Sequence, residues 1–192
     1  MTLAQPASLE LDTELFDYLT NVERQTRYPR DSRAFVRIDT CHRLYWHTLF
    51  DICPKALELD KPDGLSIFRP FMAWAKQHGI SFDWTYYLWV YNWLLQSDFR
   101  DKLTEDLLIE MVGASTGRWA NLNRGDDCGI VVGSANCSKL VVAWKARTVD
   151  GAREVELLRL EEPLPPPPAQ FGYFTLPRFE LDHFPGWKAI PK

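Results

Sequence analysis

Apolar side chains recur every three or four positions from about residue 12 to residue 113, and then alternate from about 129 to 160. This change of period constrains the fold more than any other feature. A repeat near 3.6 puts one apolar stripe on a helix, whereas a repeat of two makes one face of a strand. Helices therefore come first and a sheet second, and neither layer can bury its apolar side without the other. The pattern predicts an α+β chain, with an N-terminal layer of about five helices. They pack on a small C-terminal antiparallel meander of about three strands, followed by an extended Pro/aromatic tail.

The helix boundaries follow from caps and breakers. Asp12 or Thr13 can cap a first helix bearing Leu15, Phe16, Leu19 and Val22, which Pro29 ends. Ser32 caps a second, whose buried face is marked by Phe35, Ile38, Cys41, Tyr45, Leu49 and Ile52 up to Pro54. Pro62-Asp63-Gly64 reads as a turn, and the shorter helix after it has Pro70 in its first turn and Gly79 just past its end. Seven aromatics crowd Phe82 to Trp93; Asp83 as a cap and the continuation Leu94-Leu95 favour a helix apolar nearly all round. A strand through 82–91 is the alternative. Thr104 caps a further helix predicted to end at Gly113, and 113–129 has the Gly, Ser, Asn and Asp content of a loop.

Three β segments follow: Ile130-Val131-Val132, Lys139 to Thr148 and Arg153 to Leu160. Val149-Asp150-Gly151 carries a hairpin signal, because Asp-Gly readily takes positive φ. Strands this close in sequence form a meander most simply. Pro165 to Pro168 end the regular structure. The division expected is a single α+β domain over 1–162 and a tail over 163–192 that wraps its own domain or a partner.

At 192 residues, 46% apolar and 25% charged, the chain has ordinary globular usage. Its net charge of −4 argues against a general nucleic-acid binder. No run is long enough to span a bilayer, and Met1 to Pro6 lacks a basic stretch followed by an apolar one. Cys41, Cys53, Cys128 and Cys137 show no CxxC spacing, as befits reduced thiols in a cytoplasmic protein.

Catalytic signatures are sparse. Asp126, Gly133, Ser134 and Asn136 fit D-x6-G-S-x-N, which resembles the second half of the phospholipase D superfamily signature. In that family a His attacks phosphorus and a Lys binds phosphate. Trp119 and Asn121 stand at those positions here, and neither can do that chemistry. The resemblance therefore implies at most a degenerate phosphodiesterase. Five residues separate His42 from His47, about 140° around a helix, so they cannot share a metal. His78 and His183 are the other two histidines. No catalytic residue, metal site or cofactor is assigned.

Two features ask for a partner. Glu23 to Arg43 holds six arginines (24, 27, 30, 33, 37 and 43) against three acids. Arginine forks match carboxylate or phosphate geometry. The tail is rich in rings: Phe171, Tyr173, Phe174, Phe179, Phe184 and Trp187. Burying each is worth roughly 2–3 kcal/mol. Partner-binding residues are accordingly expected at Arg27, Arg30, Arg33, Arg37, Phe174, Phe179, Phe184 and Trp187. The expected function is a non-enzymatic interaction or regulatory protein that binds a macromolecule through the arginine face, the aromatic tail or both. The partner would be another protein or a second copy, with nucleic acid not favoured and no membrane. The alternative is a small phosphate-ligand-binding enzyme, nuclease-like, with a degenerate signature around Asp126 and Asp127.

Overall fold

The computed structural model describes residues 31–147 and 153–192. The helix expected over 12–28 and the Val149-Asp150-Gly151 turn lie outside those residues. Among the described residues, α1 (Arg33–Phe50), α2 (Pro54–Glu58), α3 (Leu65–Gln77), α4 (Tyr86–Leu94) and α5 (Glu105–Leu122) precede five antiparallel strands, with a 3-10 turn at Arg100–Lys102. The strands are β1 (Gly129–Ser134), β2 (Cys137–Arg147), β3 (Arg153–Leu158), β4 (Phe171–Leu176) and β5 (Lys188–Ala189), in the order β3-β2-β1-β4-β5. The chain is α+β, helices first, as the change of period predicts.

Side-chain oxygens start the helices where the sequence places them. Ser32 Oγ accepts from the Phe35 amide at 3.1 Å, and Thr104 Oγ1 from the Leu107 amide at 3.2 Å. The aromatic run is a helix: Tyr86, Tyr87, Leu88, Val90, Tyr91 and Leu94 are all buried, around more than one face. Its preceding turn is set by Asp83, whose Oδ1 accepts from the Thr85 amide at 2.8 Å and its hydroxyl at 2.7 Å.

Two helix boundaries differ from expectation. α3 starts at Leu65, so Pro70 lies inside the helix and not in its first turn. The earlier start has a cause in two carboxylates, with Asp63 Oδ1 accepting from the Leu65 amide and Asp60 Oδ2 from the Ser66 amide. Gly113 does not end α5, which runs on to Leu122. Its apolar stripe continues through the small residues, with Met111, Val112, Ser115, Thr116, Trp119 and Ala120 all buried, and burial overrides weak helix propensity.

The expected meander is present as β1 to β3, but the sheet has five strands because the tail adds two. β4 pairs with β1 from Gly129↔Leu176 to Ser134↔Phe171. A proline run ends a helix or a central strand but leaves the residues after it free to pair, and Phe171 to Leu176 alternate as a strand requires. The sheet thus has apolar cores on both faces. One, under the helices, contains Ile130, Val132, Val141, Ala143 and Phe171. The other contains Val131, Val142, Trp144, Phe174 and Leu176, against which Leu158, Leu164, Phe184 and Trp187 pack.

Candidate functional site

Among the described residues β3 ends the sheet and pairs with β2 on one side only. A terminal strand presents a row of unpaired backbone donors and acceptors on its other side. Its side chains alternate. Val155 stands opposite Ala143 and Leu157 opposite Val141, and both β2 residues belong to the core beneath the helices. Val155 and Leu157 therefore face the helical layer, yet they remain 44% and 48% exposed.

Their neighbour on that face is α5. That helix turns Gly113 and Gly117 toward Val155; a Cβ on Gly117 would come within 3.4 Å of it, and one on Gly113 within 3.8 Å. Small residues on α5 let the helix pass close beside Val155. On the other face Glu156 accepts from the Trp144 indole at 3.2 Å, which orients the strand.

Partnered lysines stand at both ends of this stretch of β2. Lys139 Nζ lies 2.7 Å from Glu105 Oε1, and this bond above all holds the Glu105 carboxyl below the usual carboxylate range. Cys137 Sγ lies 3.4 Å from the same oxygen, and burial, then the carboxylate, push that thiol up. Toward the C-terminal end of α5, Lys145 Nζ sits 4.8 Å over the Trp119 ring and donates to Gly125 O. A free edge with two apolar side chains on one face can accept an added strand, whose backbone supplies the hydrogen bonds.

The residues singled out from the sequence lie elsewhere. Arg33 and Arg37 are exposed on α1, while Arg27 and Arg30 lie outside the described residues. Arg43 pairs with Asp39 at 2.8 Å. Phe174 is fully buried, with Trp187 at 5.3 Å and Phe184 at 5.6 Å between ring centroids. Phe179 stays 60% exposed beside Trp144. Three of the four aromatic residues thus meet in one cluster on the outer face of the sheet, and the arginines are not part of it.

The half-signature does not converge either. Asp126 is exposed ahead of β1, whereas Ser134 closes that strand and Asn136 lies in the following turn. Six extended residues separate the ends by about 20 Å. Trp119 is buried in the core, and the Asn121 amide donates to Gly117 O. His47 pairs with Asp51, His78 stacks on Trp74 and His183 pairs with Asp182. No group of three metal-ligating side chains forms among the described residues. No helix among them is long and apolar enough to cross a membrane.

Comparison with known families decides the functional setting. The family described as "Methanobactin biosynthesis cassette protein MbnC-like" matches residues 25–191. The chain belongs to the MbnC-like family. Comparison with curated proteins finds no match. Membership places this MbnC-like protein in the biosynthesis of methanobactin, a copper-binding natural product. It overturns the expectation of an interaction or regulatory protein acting through the arginine face or aromatic tail, and the nuclease-like alternative with it. Sequence reasoning missed Val155, Leu157 and Gly117. The alternation in Arg153 to Leu158 was visible, but which strand would be left at the edge depends on where β4 pairs.

Proposed function

We propose that this MbnC-like protein serves methanobactin biosynthesis by pairing with another protein of its cassette along the β3 edge. One observation carries the reading: β3 combines a side unpaired among the described residues with two exposed apolar residues, Val155 and Leu157, and Val155 lies beside Gly113 and Gly117 of α5. Natural edge strands are usually blunted by inward charges or prolines. Here the acids Glu154 and Glu156 occupy the alternate positions, and Gly113 and Gly117 of α5 lie beside Val155. The family supplies the setting, a cassette of biosynthetic proteins, and the edge supplies the contact.

The test is co-expression with the other cassette proteins, comparing the native chain with the double variant Val155→Glu, Leu157→Glu. Both positions are about half exposed, so the variant should still fold cooperatively, with a modestly lowered melting temperature. Its recovery with cassette partners should fall at least tenfold, and methanobactin measured by mass spectrometry should fall in parallel. An Arg33→Glu, Arg37→Glu control should change neither. Full co-purification of the β3 variant would refute the proposal.

A further inference from the structure

A cleft of about 330 Å³ opens on the outer side of the molecule, between the β1–β2 turn and the proline run. Its volume falls within the range of roughly 300–1,000 Å³ typical of small-ligand sites. The body is apolar, with Leu140, Leu160, Leu164 and Trp187 among its walls. At one end stands a polar chain. Gln170 Nε2 donates to Ser134 Oγ at 2.9 Å, and Asn136 Nδ2 donates to Gln170 Oε1 at 3.1 Å. Ser134 is only 5% exposed, so its hydroxyl is fixed by that chain and not by solvent.

Two further features define the chemistry. None of the described residues lining the cleft carries a charge. A phosphate or carboxylate entering it would lose hydration with no cation to compensate, which is strongly unfavourable. The four prolines on its wall bring no N–H, so their backbone can only accept hydrogen bonds. Asn136 offers both an amide N–H and an amide oxygen at the other end. Donor, acceptor and apolar body together match an amide.

We infer that this cleft binds an uncharged, amide-bearing ligand with a compact apolar side group, held by Asn136 and the prolyl carbonyls and packed against Trp187. Gly133, Ser134 and Asn136, three of the four residues of the half-signature, thus line a neutral amide site and not an anion site. The inference is independent of the β3 edge, which the experiment does not touch.

Trp187 supplies the readout, because its indole N–H donates to Pro165 O at 2.7 Å within the cleft wall. The full chain, labelled with nitrogen-15, is titrated with N-acetyl-leucinamide, and the indole resonance is assigned by its absence in Trp187→Phe. The expected result is a saturable shift with a dissociation constant of about a millimolar, as befits so small a ligand. Ser138→Trp, which fills the cleft, and Asn136→Asp, which replaces the amide by a charge, should each weaken binding at least tenfold. Inorganic phosphate and N-acetyl-aspartate should give no saturable shift. Tighter binding of acetyl-Ala-Leu-Ala-amide would assign the cleft to a polypeptide segment, and equal binding to a single-residue-sized ligand. No saturable shift, an equal one in both variants, or saturation by phosphate would overturn the inference.

Discussion

Trp187 lies so close over Gly133 that a Cβ on the glycine would stand 2.6 Å from the indole. A Cβ on Gly172 of the neighbouring strand would likewise stand 3.1 Å from the same ring. The bare backbone of β1 and β4 therefore forms the seat of the tail. Gly133→Ala should destabilise the chain by about 1–3 kcal/mol, the usual cost of overpacking. In urea denaturation the Gly133→Ala, Trp187→Ala double variant should lose less than the two single losses added, because the clash is then gone. Strict additivity would show that the ring is not seated there.

Tyr86 is an unusual core residue. Its hydroxyl is buried with no hydrogen-bond partner among the described residues, and burial pushes its titration far above the usual tyrosine range. An unmade hydrogen bond of this kind costs about 1–3 kcal/mol. Tyr86→Phe should therefore raise the midpoint of thermal unfolding. A lower midpoint would mean that the hydroxyl is bonded in solution.

The Glu105–Lys139 pair gives a pH dependence with a definite sign. The folded carboxyl titrates below its unfolded value of about 4.3, so its contribution is present above that pH. It disappears as pH falls through the lower, folded value. The stability difference between the native chain and Glu105→Gln, measured by denaturation, should shrink between pH 6 and pH 3. A difference that grows on acidification would contradict the pairing.

Cys53 is fully buried, and burial, with Glu110 adding to it, pushes its thiol up. The thiolate is the reactive form, so iodoacetamide at pH 8 should leave Cys53 unmodified in the folded chain. Peptide mapping should find it alkylated only in denaturant. Rapid native labelling would place it at the surface.

The layering was legible from period alone because buried stripes and alternating strands leave their spacing in the sequence. Ser32 and Thr104 were legible as caps because their oxygens meet a local need. What failed depends on distant contacts. Gly113 reads as a stop until Leu107 to Ala120 are seen packed on the sheet, when α5 gains more from burial than it loses at two glycines. The prolines at 165–168 read as an end, yet Phe171 pairs with Ser134 across more than thirty residues. Val155 and Leu157 looked like ordinary strand residues, and only the sheet order leaves them at the edge.

Hydrogen exchange along β3 tests the central claim most directly. The chain is measured alone and again in complex with the cassette proteins that co-purify with it. Pairing along the edge predicts strong new protection of amides within Arg153–Leu158, absent in the Val155→Glu, Leu157→Glu variant. Protection confined to other segments, with β3 exchanging as fast in the complex as alone, would contradict it.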